Sequence, residues 1–232
     1  MNNIIKEKPS DILHGRTLFS INFINDQDII NKNILDIGCG YGWLEFNMLR
    51  KCFSGITGIE ISEKDLKTAK DCIRSDKVFF KIGSAIDIPF GNNRFDTVVS
   101  FEVIEHIPKN TEKQMFKEVN RVLIDNGYFY LSTPYNSLFS IMFDPAWYFG
   151  HRHYSTKFIK KIAGENGFEV KEIINNGGFW TIFGAINMYI AKWIFRRKPF
   201  FDNFMNIMAD KEYSKKSGVA NIFIKMKKVK KF

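Results

Sequence analysis

The sequence predicts an α/β fold: a three-layer sandwich with helices on both faces of a seven-stranded, mostly parallel sheet. Three observations predict it. Short apolar runs alternate with longer amphipathic stretches along most of the chain, the order that crossover-connected parallel strands require. Runs such as Thr97-Val98-Val99 are continuous rather than alternating, as in strands covered on both faces. The first run stops on Gly38-Cys39-Gly40-Tyr41-Gly42, a strand that turns on glycines into a helix.

Residues 1–10 are polar and read as a loose arm. From 11 to 30, Ile12, Leu18, Phe19, Phe23 and Ile24 recur at helical spacing, so 1–30 is expected to be an arm and a helix. Strand 33–37, helix 43–52 and strand 55–61 follow. Helix 62–75 has Ser62 as its expected N-cap, with Glu63 and Asp65 in the first turn, where negative charge suits the helix dipole. Next come strands 78–82 and 95–101, the amphipathic helix 111–123, and strand 128–132, which ends at Thr133-Pro134. Helix 155–165 stops at Asn166-Gly167, before strands 168–174 and 219–226.

Composition bounds the rest. The 232 residues are 45% hydrophobic and 25% charged, the range of an ordinary globular chain, so one domain over 1–232 is expected. The net charge of +9 is concentrated at Arg196-Arg197-Lys198 and in 225–231, which reads as a solvated tail. Cys39, Cys52 and Cys72 form no paired motif, which argues against a disulfide scaffold or a cysteine–zinc site. The N-terminal stretch has no apolar core. A secretory signal is therefore not expected, and a cytoplasmic location is.

The glycine turn is the most informative segment. In open parallel sheets, ligands bind beyond the carboxyl ends of the strands, so a ligand is expected at Gly38 to Gly42. The dinucleotide fingerprint is GxGxxG, whereas the spacing here is GxGxG. Asp36 precedes the glycines; a carboxylate there repels a pyrophosphate but suits an ammonium. Glu60 ends the second strand, 60 − 40 = 20 residues past Gly40, where an acid can accept both hydroxyls of a ribose.

With these features the sequence resembles the class I S-adenosylmethionine-dependent methyltransferases, especially those acting on quinones, lipids and other small molecules. Further segments carry the resemblance in order: Ile59-Glu60-Ile61-Ser62, Gly83-Ser84-Ala85-Ile86-Asp87-Ile88-Pro89-Phe90, Phe95 to Ser100 with Glu102-Val103-Ile104-Glu105-His106-Ile107-Pro108, Arg121-Val122-Leu123 with Asp125-Asn126-Gly127, and His151 to Ser155 with Gly167-Phe168. It spans roughly 30–175, and an ordered set is more specific than any one motif. The resemblance implies a Rossmann-like sheet with an antiparallel last strand and S-adenosyl-L-methionine as cofactor. It implies that Asp36, Gly38, Cys39 and Gly40 hold the methionine end, that Glu60 binds the ribose, and that Ile61 lies against the adenine. Ser84, Ala85 and Ile86 would line the adenine edge, and Phe101 and Glu102 would close the pocket under the sulfonium. The family usually has Asp where this chain has Ser84, so weaker cofactor binding or a shifted loop is expected.

Methyl transfer to a hydroxyl needs a base, most often His. His106, after the fourth strand, is the candidate, against the alternative of a helix-entry histidine bonded to backbone. Glu105 is expected to be structural. Segment 135–154 is rich in aromatics, including Phe139, Phe143, Trp147, Tyr148 and Phe149, and is read as a substrate lid. Tyr135, Trp147, His151 and His153 are its candidate substrate contacts. No cysteine or carboxylate cluster adjoins the two lid histidines in sequence, so no metal is assigned.

Residues 179–217 form an insertion before the last strand. Within it, 179–195 is apolar around most of a helix but short for a membrane span and interrupted by Lys192. With the basic run after it, 179–198 suits a core or cap helix, a dimer face or peripheral membrane contact. The expected activity is methyl transfer to a small, hydrophobic or lipid-linked acceptor. The rival readings are a nucleic-acid methyltransferase, disfavoured because no nucleic-acid-binding module is present, and a non-catalytic scaffold that keeps the cofactor fold.

Overall fold

A computed structural model describes residues 8–144, 147, 150–215 and 217–229. The strands are β1 (Asn33–Ile37), β2 (Gly55–Glu60), β3 (Val78–Ile82), β4 (Phe95–Phe101), β5 (Leu123–Pro134), β6 (Phe168–Asn176) and β7 (Asn221–Lys228). The helices are α1 (Gly15–Phe23), α2 (Trp43–Met48), α3 (Glu63–Cys72), α4 (Glu112–Val122), α5 (Leu138–Phe143), α6 (Thr156–Glu165), α7 (Phe179–Tyr189) and α8 (Asp202–Tyr213).

All seven strands form one sheet in the order β3-β2-β1-β4-β5-β7-β6. β1 to β5 are mutually parallel. β7 runs antiparallel to both β5 and β6. Order reverses beside β1, which pairs with β2 on one side and β4 on the other. This is the switch point where α/β sheets open a ligand crevice.

Successive strand residues feed opposite faces, as the pleat dictates. Leu35, Ile37, Val98, Phe129 and Leu131 join a core with Phe116 of α4 and Ile159 of α6. Ile34, Val99, Tyr130 and Phe223 join a second core with Ile21 of α1 and Leu44 of α2. Ser62 and Ser155 cap α3 and α6, accepting from the amides of Asp65 at 3.3 Å and Phe158 at 3.2 Å.

Several expectations are corrected. The helix over 11–30 is only nine residues, α1. It begins at Gly15 because the Gly15 amide donates to Asp210 of α8. It ends before Asn25, whose side chain accepts from the Gln27 amide at 3.0 Å and opens a separate 3-10 turn. The helix over 43–52 closes at Met48. The lysine run is no solvated tail, since β7 extends to Lys228. Lys225 pairs with buried Asp28 at 2.6 Å, and Lys228 donates to the Leu123 carbonyl at 2.7 Å. Lys230 and Lys231 lie outside the described residues, as do residues 1–7 of the arm.

Residues 179–195 are α7 followed by a π-helical turn, Ile190–Ile194. Glu212 of α8 caps α7, accepting from the amides of Gly178, Trp180 and Thr181 and from the Thr181 hydroxyl. Among the described residues, no helix is long and apolar enough to cross a membrane.

Candidate active site

The glycine turn after β1 is fastened to β2: the Gly38 and Cys39 amides donate to the Ile59 carbonyl at 2.8 and 3.1 Å. Gly38 has φ +75°, and a Cβ there would collide with Val103. Gly40 also has positive φ, +53°, but a Cβ there would meet no atom. The backbone at Gly40 is thus open to an approaching ligand. Glu60 turns its carboxylate onto this loop. It accepts from the Gly40 amide at 3.2 Å, and from those of Ile61 and Ser62 at 2.8 and 3.0 Å. The oxygen facing Gly40 keeps one lone pair for a further donor.

Sequence reasoning missed Glu45. It is fully buried in the first turn of α2, beside Asp36, which is also buried. Burial, then the neighbouring Glu45, holds the Asp36 carboxyl well above the usual range. Burial pushes Glu45 up to about 8. Burial and Glu45 likewise raise the Cys39 thiol and keep it protonated. The available signal was an acid set between Leu44 and Phe46 in an apolar helix start.

Ile61 is exposed at the end of β2, and Ala85 is buried beside partly buried Ile86. The Ser84 hydroxyl accepts from the Ile86 amide at 3.4 Å. Arg121 locks this loop from below, donating to the Phe90 and Ile88 carbonyls at 2.7 and 2.9 Å. That explains why the arginine belongs to the same ordered set of segments.

β4 delivers the next residues. Phe101 is buried, its ring 6.4 Å from that of Trp43. Glu102 has φ +58°, a left-handed conformation rare for a residue with a side chain. Its surroundings over-determine it. Its amide donates to the Ser132 carbonyl at 3.0 Å. Its carboxylate accepts from Arg16 and Ser132, both at 2.7 Å, and from Asn221 at 3.0 Å. Glu102 in turn raises the Arg16 guanidinium pKa.

Beyond Glu102 lies a cavity of about 510 Å³, walled by the end of β4, the N-terminal edge of α1, α7 and α8. Glu105, His106, His151 and His153 line it together with Asp144. Burial, then His151, lowers the His106 pKa. Burial, then Glu102, holds Glu105 well above the usual range. His106 and His151 rings lie 4.8 Å apart. The lid histidines therefore have carboxylate neighbours after all: Asp144 Oδ2 is 2.8 Å from both His151 and His153.

Two expected substrate contacts are placed elsewhere. Tyr135 packs its side chain against the main core, and its carbonyl faces His153 at 3.1 Å. Trp147 is partly exposed, edge-on to His153 with ring centres 5.6 Å apart. Tyr148 and Phe149 lie outside the described residues. Part of the expected lid is α5, which Ser137 caps. The insertion forms a wall of the cavity, and its Tyr213 also joins the second core.

Comparison with known proteins points to a family and a fold. The methyltransferase domain family model matches residues 35–131. The ubiquinone biosynthesis O-methyltransferase of Pelagibacter ubique (strain HTCC1062) is 31% identical over 121 residues, 51% of this chain and 49% of that protein. Across five such relatives the matched region spans 34% to 49% of their length. Among solved structures, a SAM-dependent methyltransferase from Methanosarcina mazei superposes with TM-score 0.62 at 18% identity, covering 90% of this chain and 96% of that one. The [4+2]-cyclase SpnF superposes with TM-score 0.69 at 19% identity, covering 98% and 91%. The last two show the fold alone, which hosts more than one chemistry. Residues 35–131 thus match the methyltransferase domain family, and the sheet around them shares the fold of solved S-adenosylmethionine-dependent methyltransferases.

Proposed function

We propose that the protein transfers a methyl group from S-adenosylmethionine to a small acceptor with an apolar body, seated in the cavity against α7 and α8. The observation that carries this reading is the junction at the end of β4. Phe101 packs toward the glycine-turn helix through Trp43, whereas Glu102, one residue on, lines the cavity. A cofactor cradle and an acceptor cavity thus meet at one strand end.

When bound, S-adenosylmethionine supplies a methyl group activated by a sulfonium. The protein then has chiefly to align the two reactants, which can contribute several kcal/mol. The open backbone at Gly40 and the spare lone pair of Glu60 suit the ribose. Ile61 offers an apolar surface for the adenine and Ser84 to Ile86 its edge, whereas Asp36 is buried beside Glu45 and held toward its neutral form, so it presents no free carboxylate to the ammonium. Glu102, rigidly held by Arg16 and Ser132, would close the pocket beneath the sulfonium. His106 is the candidate to receive an acceptor proton, by its position on the cavity wall.

A hydrophobic or lipid-linked acceptor is favoured by the outer face of the insertion. Phe179, Trp193, Ile194, Phe195 and Phe201 are all exposed there, beside Arg196, Arg197 and Lys198. Aromatic and basic side chains on one face suit the interface of an anionic membrane. The relative named for ubiquinone biosynthesis is in keeping with such an acceptor.

Calorimetric titration tests the cofactor reading. The protein should bind S-adenosylmethionine and not NAD, and Glu60→Ala should weaken binding at least tenfold. Absence of S-adenosylmethionine binding, or tight NAD binding, overturns the proposal.

A further inference from the structure

We propose that Asp144, His151 and His153 bind a divalent transition-metal cation on the wall of the cavity, as Asp144 Oδ2, His151 Nδ1 and His153 Nε2. The site stands or falls independently of the methyl-transfer reading.

Asp144 Oδ2 is 2.8 Å from each of the two ring nitrogens, and the three atoms lie within 4.8 Å of one another. Ligand atoms around a tetrahedral cation with bonds of about 2.0–2.2 Å sit roughly 3.3–3.5 Å apart. The two Asp144–histidine contacts therefore need to open by only about half an ångström to admit an ion.

The far side of each ring matters as much. His153 Nδ1 lies 3.1 Å from the Tyr135 carbonyl oxygen, which only accepts. A neutral His153 that donates there presents a lone pair at Nε2, aimed at Asp144 Oδ2, another acceptor. Two acceptors at 2.8 Å require a proton or a cation between them. His151 has no such hydrogen bond on its distal nitrogen among the described residues. Its Nε2 lies 3.8 Å from Glu105 Oε1. That oxygen belongs to a fully buried side chain and has no hydrogen-bond partner among the described residues. The Tyr135 carbonyl, by contrast, orients His153 through its distal nitrogen. Metal-bound histidines are characteristically oriented this way, by a carbonyl or a carboxylate on the distal nitrogen.

The donor set selects the ion. Two imidazoles and one carboxylate suit zinc, cobalt, nickel or iron rather than magnesium or calcium, which prefer oxygen. Three protein ligands at a cavity wall leave a coordination position for an oxygen or nitrogen of a small molecule within it. The competing arrangement holds protons only. The Ser140 hydroxyl, 3.2 Å from His153 Nδ1, then donates to that nitrogen, and both rings donate to Asp144.

The full chain, freed of metal by chelator and dialysis, should be titrated with Co²⁺ and then Zn²⁺. One equivalent of Co²⁺ should give visible d–d absorption with a histidine-rich signature, Zn²⁺ should abolish it, and Mg²⁺ should not. Asp144→Asn keeps the size of the side chain and should weaken binding at least tenfold, as should His153→Gln. No one-to-one cobalt spectrum, or one retained in both variants, means a proton network only and overturns the site.

Discussion

Glu45 on α2 lies beside Asp36 on β1 inside the protein, with both side chains closed to water. No donor among the described residues reaches either oxygen of Glu45, and burial favours its protonated form. The glycine loop is thus built on a buried pair of acids whose proton affinity is raised by burial.

This fixes a dependence of stability on pH. Glu45 is raised from 4.5 to about 8 in the folded protein. Its contribution is fully present below 4.5 and is lost as pH rises toward 8. Glu45→Gln cannot lose a proton and should flatten that decline. Thermal unfolding from pH 5 to 8.5 should show the variant gaining on the parent by a few degrees at the alkaline end, where about 1 kcal/mol corresponds to roughly 2–4 °C. Parallel curves would count against a Glu45 that is kept protonated by burial.

Ser84 offers a gain-of-affinity test. A hydrogen bond to a charged acceptor contributes about 1 kcal/mol more than one to a neutral acceptor. Ser84→Asp, which can still accept from the Ile86 amide, should tighten S-adenosylmethionine binding about five- to tenfold. Unchanged or weaker binding would remove Ser84 from the adenine edge.

Glu212 caps α7 through three amides and one hydroxyl. Glu212→Ala should cost about 1–2 kcal/mol, the range for a lost helix cap. The loss should be local: faster hydrogen exchange over 179–195, with cofactor affinity unchanged. Protection equal to the parent's would show that the cap is dispensable.

The exposed aromatic face predicts sedimentation with anionic vesicles at low salt. Replacing Trp193 and Phe195, 58% and 57% exposed, together with serine should cut vesicle binding at least tenfold. If the parent protein stays in the supernatant, the membrane reading is lost.

Parallel strands were legible because their apolar runs are set by the sheet itself, and 78–82 and 95–101 match β3 and β4. Ser62 and Ser155 were legible because capping is local. The glycine turn and Glu60 were legible for the same reason. What was not legible depends on distance. Asp210 sets the start of α1 from the other end of the chain, and Lys225 finds Asp28 only after β7 enters the sheet. Asp144 is seven and nine residues from the histidines it joins, and Glu105 reaches His151 only through the fold. Glu45 was hidden because its position in α2 reads equally well as exposed.

The place of β7 has a consequence for how the chain is made. β1 to β5 can pair with one another as they leave the ribosome, each beside a strand already formed. β6 cannot: its partner in the sheet is β7, which follows it in sequence yet lies between it and β5. Until residues 221–228 emerge, two strand edges stay open at once, the kind of surface that captures other nascent chains. Chaperone demand during synthesis should therefore peak after β6 and fall once β7 is inserted.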